Sequence, residues 1–181
     1  MPARKMAKAS TTKKKNEFSA ANGLTIAIQT EIEGYEFYKL AASKSKDDGA
    51  KKMFESLARD EIEHHRILKE QYNNIMKSGQ FKPLRTQGRS KLKVKSPVFS
   101  KRFLNSKKNK HFEMSALSVG ILLEQNAIEF FKKQHKQTKD PKAKKLFKEL
   151  ADWEGEHLRA LLAQKQFLQR EIFAAAHFEP F

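Results

Sequence analysis

Six residues in two matching sets carry the chemistry open to this chain. Glu61 and His64 stand three apart in FESLARDEIEHHRIL, residues 54–68, and Glu154 and His157 stand three apart in FKELADWEGEHLRAL, residues 147–161. A further glutamate lies 30 residues ahead of each pair, Glu31 and Glu124. An i, i+3 pair puts both heads on one helical face about a turn apart, so a single metal ion can meet both. The apolar residues around them keep the same register: Phe54, Leu57, Glu61, His64 and Leu68 are spaced 3, 4, 3, 4, as are Phe147, Leu150, Glu154, His157 and Leu161. Acid and imidazole thus occupy the stripe a helix should bury. Four carboxylates gathered in a dry interior would repel one another and lose their hydration. Two divalent cations balance that charge, imidazole nitrogens complete the coordination, and buried charge is tolerated when it binds metal.

The elements that must position these groups are read from an internal repeat. Shifted by 93 residues, residues 24–71 align without a gap to residues 117–164, with 20 of 48 positions identical. Each half reads as two helices around a short polar break, KSKDDG and QTKDPK. Asp47 or Asp48 in the first break, and Asp140 ahead of Pro141 in the second, are the expected N-caps. The first helix is expected over about 19–45, carrying Leu24, Ile28, Glu31, Tyr35, Tyr38 and Ala42 on one stripe. Its repeat is expected over about 114–138 and the last helix over about 141–173. Short turns make the two helices of each half antiparallel neighbours, and a connector of about 30 residues is long enough to cross a bundle. The expected architecture is all-α: a four-helix bundle of two duplicated hairpins with one long crossover. A basic tail over residues 1–18, a bundle over 19–175 with its connector at about 79–113, and a short tail at 176–181 complete the division.

Composition narrows the function. With no cysteine the chain has no disulfide, iron–sulfur cluster, thiolate zinc site or rubredoxin-type iron centre. That fits a reducing compartment, and a cytoplasmic location is expected. No apolar run approaches the ~20 residues of a membrane span. The net charge of +16 is unevenly placed: residues 1–23 carry +5, residues 79–113 carry +10, and the remainder only +1. The body is near neutral, and the basic character belongs to a tail and one connector.

At these residues the chain resembles a known family. The pattern A-I-x-x-E-x-x-G-x-x-F-Y at Ala27–Tyr38, followed by F-x-x-L-A-x-x-E-x-x-H-x-x-x-L at Phe54–Leu68 and again at Phe147–Leu161, is similar to the rubrerythrin branch of the ferritin-like superfamily. The resemblance implies a carboxylate-bridged di-iron centre, two iron ions per chain, reacting with dioxygen or hydrogen peroxide. Its expected ligands are Glu31, Glu61, His64, Glu124, Glu154 and His157. Such ligands also admit manganese or zinc. A homodimer or higher homo-oligomer is the expected assembly. Two departures stand out: no cysteines for a rubredoxin domain, and Ala127, with Gly34 as its repeat mate, where the family usually has an additional glutamate. Both point away from a self-contained peroxidase and toward the symmetric six-ligand site of ferroxidase centres. A peroxidase cycle would need an external electron donor.

Around the ligands, Tyr38 lies seven residues after Glu31 on the same stripe and could hydrogen-bond a ligand carboxylate, with a packed core tyrosine as the alternative. Its mate, Phe131, cannot. Asp60 could accept a proton from a ligand imidazole, whereas the other half has Trp153 there. His65, Glu36, Glu63, Glu129 and Glu156 fall off the stripes as solvated positions, and His111, His135 and His177 have no ligand context. In the connector, Leu92, Val94, Val98, Phe99, Phe103 and Leu104 would pack on the bundle while the lysines reach solvent. Alternatively Lys91, Lys93, Lys95, Lys101 and Arg102 form a polyanion-binding strip, with nucleic acid, an anionic membrane surface or an acidic protein as partner. Three functions follow: a di-iron oxidoreductase, an iron-sequestering DNA- or polyanion-binding protective protein, and a purely structural metal bundle.

Overall fold

Asp47, in extended backbone with φ −103° and ψ 128°, caps the start of the second helix: its Oδ1 accepts from the Ala50 amide at 3.0 Å. This side-chain bond satisfies one of the free N–H groups at the start of a helix. Asp140 acts alike in the second half, accepting from the amides of Lys142 and Ala143 at 2.7 and 3.1 Å, with Pro141 in the first helical position. The computed structural model describes residues 3–84, 97–106 and 110–175, with side chains from Ala20 onward. The helices are α1 (Ala3–Lys44), α2 (Asp48–Ser78), α3 (Lys101–Leu104), α4 (His111–Gln137) and α5 (Pro141–Ala175).

The expected all-α bundle is present, as four main helices packed in two hairpins, α1 on α2 and α4 on α5. One boundary is corrected. Helix α1 begins at Ala3, so residues 3–18, expected as a tail, are helix continuous with the bundle. The sequence explains the extension: Ala, Lys, Met and Glu favour helix, and neither Gly nor Pro occurs between Ala3 and Asn22. Helix α2 stops at Gly79, whose left-handed φ of 66° suits glycine and lets its amide bond Ile75 O at 2.8 Å.

The repeat organises the core. One apolar layer holds Tyr38, Phe54, Leu57, Leu117 and Leu161; the other holds their mates Phe131, Phe147, Leu150, Leu24 and Leu68. Even ring geometry is repeated: Tyr38 stacks on Phe54 at 6.2 Å and 18°, Phe131 on Phe147 at 6.3 Å and 24°. Each hairpin therefore contributes to both layers, as a pseudo-twofold arrangement requires.

The crossover is fastened at both ends. Phe81 enters one layer, while Phe99 and Phe103 enter the other and Val98 and Leu104 pack beside them, as expected. Gly49 makes the approach possible, because a Cβ there would lie 1.9 Å from Val98 O. Asp47 also accepts from the Ser100 amide at 2.9 Å, and Ser100 caps the short α3. Lys101 and Arg102 are exposed on α3, whereas Leu92, Val94, Lys91, Lys93 and Lys95 lie outside the described residues. No helix among the described residues is long and apolar enough to cross a membrane.

Candidate metal centre

Each of the four main helices sends one glutamate inward, Glu31 from α1, Glu61 from α2, Glu124 from α4 and Glu154 from α5, and all four are buried, at most 4% exposed. His64 and His157 follow one turn behind their glutamates, as the i, i+3 spacing dictates, and are also buried. The six meet midway between the two apolar layers.

They form two overlapping sets. Ligand atoms of Glu31, Glu61, His64 and Glu154 lie within 4.8 Å of one another, and so do those of Glu61, Glu124, Glu154 and His157. Glu61 and Glu154 belong to both sets. Both imidazoles turn Nδ1 inward. His64 Nδ1 is 2.9 Å from Glu154 Oε1 and 3.3 Å from Glu31 Oε2. His157 Nδ1 is 2.9 Å from Glu154 Oε2, 3.3 Å from Glu61 Oε1 and 3.6 Å from Glu124 Oε1. The rings stack at 5.6 Å with 20° between their planes.

The residues fit metal better than they fit each other. Five buried polar atoms of the cluster have no hydrogen-bond partner: both oxygens of Glu31, Glu61 Oε1, Glu154 Oε1 and His64 Nδ1. His64 Nδ1 and Glu154 Oε1 are close yet not aligned to bond. An unmet buried donor or acceptor is costly. Groups that converge without satisfying one another leave that role to a cation. The electrostatics agree. Burial, then the charges of Glu154 and Glu61, push the carboxyls of Glu31 and Glu124 well above their usual range. For Glu154 burial acts in the same direction, but the imidazoles of His64 and His157 outweigh it and hold the carboxyl down. Two divalent cations would remove this conflict.

Two of the neighbouring positions singled out in the sequence touch the ligands. The Tyr38 hydroxyl donates a short hydrogen bond to Glu124 Oε1, across from the opposite hairpin. Asp60 Oδ2 lies 3.3 Å from His157 Nε2. A proton on Nε2 donated to Asp60 leaves the Nδ1 lone pair facing the cluster. Trp153, the mate of Asp60, instead stacks on His64 at 5.1 Å and 14°. Gly34 adjoins the site, since a Cβ there would stand 3.3 Å from the Glu61 carboxylate.

Among the positions set aside, Glu36, Glu129 and Glu156 are exposed. Glu63 pairs with exposed Arg66 at 2.7 Å, and His135 Nδ1 lies 2.9 Å from Lys144 O. His177 is outside the described residues. Sequence reasoning missed Glu113, a fully buried carboxylate whose Oε1 accepts from the Lys46 amide at 2.8 Å while Oε2 is unpartnered. It lies four residues before Leu117 on the ligand stripe, and that register was the available signal. Gln71 and Gln164 were missed as well.

The family model described as Rubrerythrin matches residues 22–165, a span that contains all six cluster residues. No curated protein and no solved structure matches the chain.

Proposed function

The chain belongs to the rubrerythrin family, and from that premise we propose that it is a di-iron oxidoreductase acting on dioxygen or hydrogen peroxide. In this reading Glu31 and His64 would hold one iron and Glu124 and His157 the other, with Glu61 and Glu154 available to both. Bound ferrous iron would supply the reducing electrons for the oxidant. The observation that supports the reading best is the convergence of five buried atoms that make no hydrogen bond on one space between four helices.

The chain's own residues prepare that space. The carboxylates are held on rigid helices rather than loops, so their geometry is set before an ion arrives. Asp60 fixes the proton of His157 on Nε2, and Tyr38 orients Glu124. The two apolar layers keep bulk water from the carboxylates, which strengthens every electrostatic contact within. Manganese or zinc could occupy the same donors.

Anaerobic titration should load about two Fe(II) per chain, as this ligand set does in related bundles. Stopped-flow mixing with O₂ and, separately, H₂O₂ then gives the oxidant. Because Glu61 and Glu154 are shared, Glu61→Ala or Glu154→Ala should weaken both positions, whereas Glu31→Ala or Glu124→Ala should weaken one. Unchanged uptake when all six residues are Ala ends the reading.

A second reading rests on the charge split, +10 within residues 79–113 and exposed Lys101 and Arg102 on α3. The bundle then sequesters iron while its basic segments hold a polyanion, such as DNA, and limit radical damage there.

A further inference from the structure

An exact repeat would build two identical metal positions, and this chain breaks the repeat at the residues that support them. Tyr38 is the mate of Phe131, Asp60 of Trp153 and Gly120 of Ala27. All three differences favour the same end of the cluster.

The Tyr38 hydroxyl bonds Glu124. Phe131 takes the corresponding place in the other layer, equally buried and stacked on Phe147 as Tyr38 is on Phe54, but has no hydroxyl to offer. The consequence is visible at Glu31, where neither carboxylate oxygen makes a hydrogen bond, His64 Nδ1 standing 3.3 Å from Oε2. Gly120 shows that the tyrosine is accommodated rather than incidental. A Cβ on Gly120 would lie 3.2 Å from both the Tyr38 hydroxyl and its Cε1, tighter than ordinary contact. The mate of Gly120 carries that methyl: Ala27, fully buried in the layer with Phe131. The imidazoles differ in the same sense. His157 Nε2 faces the Asp60 carboxylate, whereas His64 lies against the face of Trp153, whose indole can donate a proton but not accept one.

We propose that the two metal positions are unequal by construction: Tyr38, given room by Gly120, and Asp60 make Glu124 and His157 a preformed tight position, while Glu31 and His64 form a looser position that fills second and releases its ion first. This rests on the two-metal reading of the site. Partners that orient a ligand typically change metal affinity ~10–100-fold, which sets the expected separation. Tyr38 and Asp60 act here as positioning residues, through the ligands they hold.

Calorimetric titration of the full chain with Co(II), followed in parallel by the visible Co(II) absorption, tests this. Wild type should show two steps differing by roughly 10–100-fold. Tyr38→Phe and Asp60→Ala should each weaken the tighter step by about tenfold or more and leave the weaker one in place. Asp60→Asn should recover part of the loss, because its amide oxygen still accepts. The double variant Ala27→Gly/Phe131→Tyr, which transplants the pair, should strengthen the weaker step and draw the two together. Circular dichroism establishes that each variant is folded. Equal weakening of both steps by Tyr38→Phe and Asp60→Ala, or a folded Ala27→Gly/Phe131→Tyr protein with an unmoved weaker step, overturns the inequality alone. Absence of Co(II) binding by wild type overturns the two-metal reading beneath it.

Discussion

Gln71 and Gln164, repeat mates 93 residues apart, hold opposite ends of the crossover. Gln71 clamps Lys82, accepting from its amide at 3.0 Å and donating to its carbonyl at 3.3 Å; Gln164 accepts from the Val98 amide at 2.9 Å. Both glutamines are buried, 3% exposed, seven residues beyond the inward histidine of their helix. The two halves of the bundle thus use one side chain, in one register, to pin a segment that belongs to neither.

Gln71→Leu and Gln164→Leu should therefore loosen the crossover before they loosen the site. Each leaves a backbone amide unpaired in a partly buried setting, a loss of about 1–3 kcal/mol. Hydrogen exchange should quicken at Lys82 in the first variant and at Val98 in the second, with metal stoichiometry unchanged. Exchange that stays slow at these amides would mean the apolar anchors Phe81, Phe99 and Phe103 suffice.

How much of this was legible in the sequence follows from what each feature depends on. The ligand set could be read because an i, i+3 pair on an apolar stripe is a local pattern, and the 93-residue offset supplied its second copy. The offset also indicated the division into hairpins and the pairing of helices. The partner of Tyr38 could not be read, since Glu124 lies on the other hairpin and their meeting depends on how the hairpins slide against each other. The clamps at Gln71 and Gln164 were hidden for the same reason: their partners lie on a chain without periodicity. The start of α1 was misjudged because a lysine-rich run looks solvated, and a solvated run of helix formers can still be helix.

Removing metal should leave a protein that weakens as pH rises. In the metal-free chain, burial and neighbouring carboxylates keep Glu31 and Glu124 protonated well above their usual 4.5. Above that value the unfolded chain has released protons that the folded one retains, so stability falls with rising pH. His64 and His157 are also raised above their usual 6.5. Burial alone would lower them, but Glu154 chiefly outweighs it at His64 and Asp60 leads the groups that do so at His157. Their contribution is complete below the unfolded value and lost as pH climbs through the folded one. Glu154, held low, works oppositely: its contribution is present above 4.5 and lost as pH falls toward the folded value. The metal-free optimum should lie at about pH 4–5, with stability at about pH 8 lower by more than ~1 kcal/mol. Metal should remove this loss, so the gap in Tm between loaded and metal-free protein should widen over that interval. A metal-free Tm that holds or rises with pH there contradicts the buried, mutually repelling carboxylates.

Peroxide consumption should stop after a single round unless electrons arrive from outside. Two ferrous ions hold two electrons, enough for about one H₂O₂ per chain to become water, and the site then needs reduction. A sequence without cysteine offers no thiolate redox centre to provide it. Position 127, where the family usually places another glutamate, carries Ala127 and adds no donor. Loaded protein given excess H₂O₂, with catalase excluded, should consume about one equivalent per chain and resume only when a reductant and an electron carrier are supplied. Sustained turnover by the loaded protein alone would refute a site whose electrons come only from its two ions.

The basic connector gives the most exposed prediction. If residues 79–113 hold a polyanion, neutralising Lys91, Lys93, Lys95, Lys101 and Arg102 should abolish retardation of DNA at low salt. Deleting residues 1–16 in addition should remove any residual retardation. Iron uptake should survive, because none of these residues belongs to the six-residue cluster. Contact with phosphates releases counterions, so six or more contacts should weaken binding by ~10³ or more between about 50 and 200 mM salt. Binding of this kind reads charge rather than base edges and should not distinguish DNA sequences. On the other side stands the packing already described. Phe99 and Phe103 anchor this stretch to the core, and lysines beside such anchors can reach solvent with nothing to bind. Electrophoresis of the intact protein with DNA and with RNA at about 50 mM salt separates the two: retardation lost in the neutralised variant supports the polyanion reading, and no retardation by wild type leaves the connector a strap over the bundle.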